Sequence, residues 1–176
     1  LTTHYSLLTS QVRMKSTVSP TKEATPQKDS SQICFCVATG SALRNSQQLQ
    51  NDLVQLQTLF EQAAFWAQGR SLEDLSIVIT NSEPVVSVWD GERLIGFARA
   101  TSDGIYRATI WDVVIHPDYQ GRGLGRKLVQ TVLSHPRMSR VERVYLMTTH
   151  QQQFYERIGF ECNSSTTMVI KERLLM

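Results

Sequence analysis

Glycine occupies alternate positions in 110-IWDVVIHPDYQGRGLGRKLV-129, at Gly121, Gly123 and Gly125, with Arg122, Arg126 and Lys127 around them. Glycine lets backbone N–H groups point into one concavity and lets a ligand approach with no Cβ in the way. An apolar helical pattern starts at Leu124, and a helix N-terminus adds unpaired N–H donors and the positive end of a dipole. With the mobile cations beside them, these groups suit a pyrophosphate. Two familiar phosphate loops do not fit. A P-loop requires GxxxxGK followed by Ser or Thr, and the chain contains no such string. A dinucleotide fingerprint requires glycine three positions after Gly123, where Arg126 stands. It also wants an acidic residue at a strand end about 20 positions on, and residues 140–142 read Arg-Val-Glu ahead of a strand.

Other reactive groups are sparser. Asp112 lies in the β-branched run that enters the loop, where strand propensity disfavours Asp, so something local should compensate it. It is either a proton acceptor or a structural Asp bonded to neighbouring backbone. His150, whose unperturbed titration lies near neutrality, stands just beyond a later strand. Tyr155 sits in an apolar stripe with Phe154 and Ile158. Cys34, Cys36 and Cys162 are odd in number and poorly spaced for a disulfide framework or a zinc site. Three free thiols in a reducing compartment are expected, and no metal.

The elements that must position these groups follow from periodicity. Leu49, Leu53, Leu56, Phe60, Ala63 and Ala67 recur at helical spacing up to Gly69, and Ser71-Leu72-Glu73-Asp74 opens a second helix through about Thr80. Residues 85–89 and 94–101 read as strands split by Asp90-Gly91, and Asp103-Gly104 turns into a long strand over about 105–115. His116-Pro117 ends that strand. A helix from about 124 to near Pro136, a strand over 143–149, a helix over about 151–158 stopped by Gly159, and a last strand near 166–171 complete the order. With a short apolar segment at 33–38 in front, the class is α+β with a mixed sheet. The 176 residues make one domain over 33–176, preceded by residues 1–32, rich in Ser, Thr, Pro, Lys and Gln. That segment reads as a disordered tail, as sequence upstream of a start at Met14, or as a transit peptide, since residues 1–22 contain no acidic residue. The formal charge of +2 is too small to argue for nucleic acid, and no apolar run approaches the roughly 18 residues of a membrane span.

The spacing Gln/Arg-x-x-Gly-x-Gly/Ala, present as Gln120-Gly121-Arg122-Gly123-Leu124-Gly125, resembles the loop of the GNAT N-acetyltransferase superfamily. The resemblance extends over about residues 46–170 and includes 111-WDVVIHPDYQGRGLG-125 and 153-QFYERIGFE-161. The segments 98-ARATSD-103 and 108-ATIWDVV-114 look closest to its cyanobacterial and plastid type, with relatives among plant serotonin and lysine N-acetyltransferases. The resemblance implies a mixed, mostly antiparallel twisted sheet with helices on both faces and a splayed central strand pair. It implies acetyl-CoA as co-substrate, held by Gln120, Gly121, Arg122, Gly123, Leu124, Gly125, Arg126 and Lys127, by backbone of Val114 and Ile115, and by Thr149 or a Gln of 148-TTHQQQ-153, near the helix start where the family often has an Asn. It implies as partner a primary amine, on a small molecule or a protein, that attacks the thioester directly. Localisation would be cytoplasmic, or the plastid stroma if the tail is a transit peptide.

Acetyl transfer from a thioester needs a neutral amine, a donor for the developing oxyanion and a proton for the departing thiolate. An alkylamine of pKa ~10.4 is about one part in 2,500 neutral at pH 7, a penalty near 4.6 kcal/mol, so a base or a depressing pocket helps. The resemblance gives Tyr155 the thiolate-protonating position. Asp112, His150 and a water relay stay open as the base, because Thr109 and Thr148 stand where relatives carry carboxylates. Trp66, Trp89, Trp111 and Phe97 are candidates to line an acceptor pocket. A non-catalytic acyl-CoA-binding domain is the alternative reading.

Overall fold

In the computed structural model, residues 33–43 and 47–170 are described; the expectation for the tail over 1–32 lies outside them. Strand β1 (Ile33–Ala38) leads through a 3-10 turn to helix α1 (Gln47–Ala63), and α2 (Leu72–Thr80) follows. Then come strands β2 (Val85–Asp90), β3 (Arg93–Ser102) and β4 (Arg107–Ile115), helix α3 (Leu124–Leu133), strand β5 (Arg143–Tyr145) and helix α4 (Gln152–Glu156). The sheet order is β1-β2-β3-β4-β5. The first three pairings are antiparallel and β4–β5 is parallel.

Helices cover both faces, as the alternation along the strands requires. On one face Leu53, Leu56 and Phe60 of α1 and Leu75 and Ile79 of α2 bury against Leu94, Phe97 and Val114. On the other, Leu128, Val129 and Val132 of α3 bury against Val88, Ala98, Ala100 and Ile110. The Ser71 hydroxyl accepts from the Asp74 N–H at 3.0 Å and starts α2 as its sequence suggests. Asp103 organises the turn into β4, its Oδ1 accepting from the N–H groups of Ile105, Tyr106 and Arg107. Those bonds favour the carboxylate and lower its pKa.

Two departures from a regular sheet set up the site. Between the pairs Phe97↔Val114 and Arg99↔Trp111, β4 carries two residues where β3 carries one. This is a bulge, and Asp112 within it has φ 55°, a left-handed conformation that Asp tolerates better than most residues. The bulge shifts the alternation, so Val114 joins the α1/α2 core while Ile115 joins the α3 core. The second departure is the short union of β4 and β5, which pair only from Arg107↔Arg143 to Thr109↔Tyr145. From Ile110 to Ile115 the β5-side edge of β4 has no strand neighbour among the described residues. The strand pair splays, as the resemblance implies.

Several expected elements are shorter. The strand expected over 143–149 stops at Tyr145, because the divergence of β4 removes its ladder partner. The helix expected over about 151–158 is Gln152–Glu156. The first helix ends at Ala63 and a 3-10 turn at Phe65–Ala67 carries the pattern on. The strand expected near 166–171 is absent over its described residues, 166–170, and Met168, Val169 and Ile170 are exposed. Strand propensity needs a partner edge, and β5 presents only three residues.

Candidate functional site

The glycine loop sits where β4 has parted from β5. His116 N–H donates to Ile95 O in β3, and a peptide's C=O and N–H point in opposite directions, so Ile115 turns its carbonyl away from β3 and into the splay. There Gln120 Nε2 donates to it at 2.9 Å, which ties the loop's first residue to the strand. Val114 stands opposite Phe97, and its side chain is buried in the α1/α2 core. By the same alternation its backbone is directed to β3, so of the two residues Ile115 is the one whose groups reach the splay.

Gly121 and Gly123 have φ 75° and 77°, and Gly123 is the residue that starts α3. A Cβ at either would meet no atom within 4 Å, so the backbone conformation alone selects glycine there. Gly125 has a different reason: a Cβ would stand 3.3 Å from the Phe154 ring, and glycine lets α4 approach α3. Gln120 N–H bonds to Pro117 O, and Lys127 N–H bonds to Gly123 O. Between them the N–H groups of Gly121, Arg122, Gly123, Leu124, Gly125 and Arg126 have no acceptor among the described residues. Six successive donors at the positive end of a helix are the kind of arrangement that suits an anion.

The three cations are spread. The Arg122 guanidinium lies over the Tyr119 ring at 5.2 Å and donates to Asp118 O. Arg126 Nη2 donates to Arg157 O at 3.0 Å and so clamps the start of α3 to the end of α4. Lys127 Nζ lies 4.4 Å from the Phe35 ring centroid of β1. In α4, Tyr155 packs into the α3-face core with ring contacts to Phe154 and Phe160. Burial raises its phenol above the ordinary value, so it stays protonated through neutral pH. The turn before α4 is held by Thr148 Oγ1, which accepts from Gln151 N–H, and by Thr149 O, which accepts from Gln152 Nε2. His150 is exposed on that turn.

Asp112 is engaged on both oxygens. Arg70 Nη1 donates to Oδ1 at 3.0 Å and Arg99 Nε to Oδ2 at 2.7 Å, and the Asp112 side chain is 6% exposed. Arg99 also donates to Ser82 Oγ and lies over the Trp111 ring. Asp112 is thus compensated by Arg70 and Arg99 in a cluster on the α1/α2 side of the bulge. An Asp in an unfavourable strand position did signal that a partner exists, but its partners lie 42 and 13 residues away in sequence. The aromatic candidates do not converge: Phe97 is core against Phe60, Trp89 bonds Ser87, Trp111 bonds Thr101, and Trp66 is half exposed beside Phe65.

The chain as a whole has relatives among known proteins. Over 96 residues the chain is 43% identical to "Uncharacterized N-acetyltransferase ycf52" of Gracilaria tenuistipitata var. liui, covering 52% of this chain and 53% of that protein. Over 122 residues it is 39% identical to "Uncharacterized N-acetyltransferase ycf52-like" of Prochlorococcus marinus, covering 66% and 67%. The chain spans about half the length of several curated relatives it matches. A solved GNAT family acetyltransferase of Streptococcus pneumoniae, 21% identical, shares the fold with a TM-score of 0.64 over 81% of this chain and 99% of that one. Residues 50–160 match the family model "Acetyltransferase (GNAT) family", and the chain belongs to that family.

Proposed function

We propose that the protein transfers the acetyl group of acetyl-CoA to a primary amine, on a small molecule or a protein, by direct attack within a ternary complex. The observation that carries this reading is the run of six N–H groups from Gly121 to Arg126 at the start of α3 that have no partner among the described residues. Acetyl-CoA supplies an activated acyl thioester and a pyrophosphate, and the residues present fit both. The nest and Arg122 hold the pyrophosphate, with Arg126 fixing the helix start. Leu124 and Gly125 contribute backbone, Lys127 contributes long-range positive charge, and Thr149, on the turn before α4, contributes a polar contact. Ile115 offers its N–H in the splay to the carbonyl that gains negative charge. Tyr155, protonated at neutral pH and half-buried against the α3-face core, donates the proton to the departing thiolate. Both Asp112 oxygens are engaged by guanidinium groups, which leaves His150 or a water relay to take the proton of the amine.

That occupation, with Thr109 and Thr148 in place of carboxylates, also favours a second reading, a domain that binds acyl-CoA without turnover. Calorimetry with acetyl-CoA and thiol release with a panel of amines separate the two. Micromolar binding with amine-dependent thiol release supports transfer. Binding without release to any amine supports the non-catalytic domain, and no binding removes both.

A further inference from the structure

The Arg70–Asp112–Arg99 cluster is fixed from several directions and is left with a surplus. Arg70 lies over the Phe60 ring at 5.2 Å, its carbonyl accepts from Gln57 Nε2 at 2.8 Å, and its Nη1 reaches Asp112. Arg99 spends Nε on Asp112 and Nη1 on Ser82. Asp112 is the one carboxylate in ion-pair range of either guanidinium among the described residues. The nearby Glu61 carboxylate accepts instead from Gly69 N–H. Two positive charges therefore face one negative charge, at the bulge of β4 three residues before Ile115, on the face of β4 away from α3. The two arginines differ in access: the Arg70 side chain is 31% exposed and that of Arg99 13%. Among the described residues Arg70 makes a single side-chain hydrogen bond, and its partly exposed guanidinium is held by that bond and by the Phe60 ring.

The geometry points to Arg70 as an acceptor-recognition residue that binds a carboxylate carried near the amine of the acceptor. This rests on the acetyl-transfer reading and names its acceptor class, a free amino acid or an acidic peptide. A guanidinium with an open edge matches a carboxylate in shape and can bond it twice. One uncompensated positive charge matches a monoanion, whereas a phosphate of charge near −2 at neutral pH would be left under-neutralised. A polyamine would bring a second cation against a site already positive. Phe65 and Trp66, exposed and in edge contact a few residues before Arg70, offer apolar surface to the rest of such an acceptor.

The test is thiol release by the full chain with matched acceptors: L-phenylalanine, its carboxamide and phenethylamine in one arm, and a short peptide bearing Glu, its Gln counterpart and putrescine in the other. The carboxylate form of either arm is expected to be preferred by about 10- to 100-fold in kcat/KM, the range of a charged hydrogen-bonding contact. The arm that shows the preference identifies the source. Arg70→Gln is expected to raise KM for that acceptor about 10-fold or more, to change the neutral analogue less than about 2-fold, and to leave acetyl-CoA affinity by calorimetry unchanged; Arg70→Lys restores part of the loss. Preference for putrescine or the neutral amides, or an equal effect of Arg70→Gln on both forms, overturns the inference. If acetyl-CoA binds but no amine is acetylated, the transfer reading fails, and titration of the acetyl-CoA-loaded protein with the probe propionate decides this one. Propionate binding lost in Arg70→Gln supports the carboxylate site, and binding unchanged or undetectable in wild type overturns it.

Discussion

On the α3 side of β4 the candidate binding groups are backbone amides, and on the α1/α2 side they are guanidinium side chains. The amide nest is local. Every donor from Gly121 to Arg126 comes from one turn, and its shape is set by the positive φ of Gly121 and Gly123. The guanidinium cluster is assembled from afar, with Arg70 arriving after α1, Arg99 from β3 and Asp112 from β4. Backbone donors cannot be removed by a side-chain substitution, only misaimed, whereas a charge cluster is sensitive to the loss of any member. The difference teaches where each face is vulnerable.

The comparison breaks most visibly at Gly123. Valine there must leave φ 77°, so the start of α3 and its donors are misaimed. Losing one or two charge-assisted hydrogen bonds at ~1.5–3 kcal/mol each predicts a fall of about 100- to 1,000-fold in acetyl-CoA affinity. The circular dichroism spectrum should stay near wild type, and unchanged affinity by calorimetry would count against the nest.

Tyr155→Phe keeps the ring packing with Phe154 and Phe160 and removes the proton. The leaving thiol has a pKa close to that of cysteine, ~8.5, and can depart unaided at some cost. The expected loss is on the order of 10- to 1,000-fold in kcat, centred near 100-fold, with affinity for acetyl-CoA little changed. Burial raises the phenol, and a phenol is the proton-bearing acid below its pKa. The alkaline limb in wild type should therefore begin above the ordinary tyrosine value, about 10, and the variant should lack it. Wild-type kcat in the variant, with chemistry limiting turnover, would leave Tyr155 a packing residue.

Asp112→Asn sharpens the other face, since Asn tolerates the left-handed backbone and the change isolates the charge. Breaking a buried ion pair costs about 3–5 kcal/mol. The solvent access of Arg70 brings the expectation down to about 2–3 kcal/mol of stability. Chemical denaturation would read it. A base would instead show little change in stability and a collapse of turnover.

The smallest effect is expected from deletion of residues 1–32, whose composition does not support a packed core. Melting temperature and acetyl-CoA affinity should both stay within error, and a drop of many degrees would make the segment part of the domain.

What the sequence determined by itself was the local part: element order, the class of the sheet and the glycine loop. Helical spacing in α1, the Ser71 cap, the Asp103 turn and the glycines that need positive φ are all written within a few residues of where they act, because the hydrogen bonds they make are short in sequence. It also marked Asp112 as a residue needing compensation. Only the tertiary structure decided what compensates it, since Arg70 and Arg99 meet Asp112 through packing of α1 and β3 on a bulge that no residue pattern announces. The same holds for the ends of β5 and the segment 166–170. Their β-branched composition permits a strand, but a ladder needs a neighbour, and the splay of β4 takes that neighbour away.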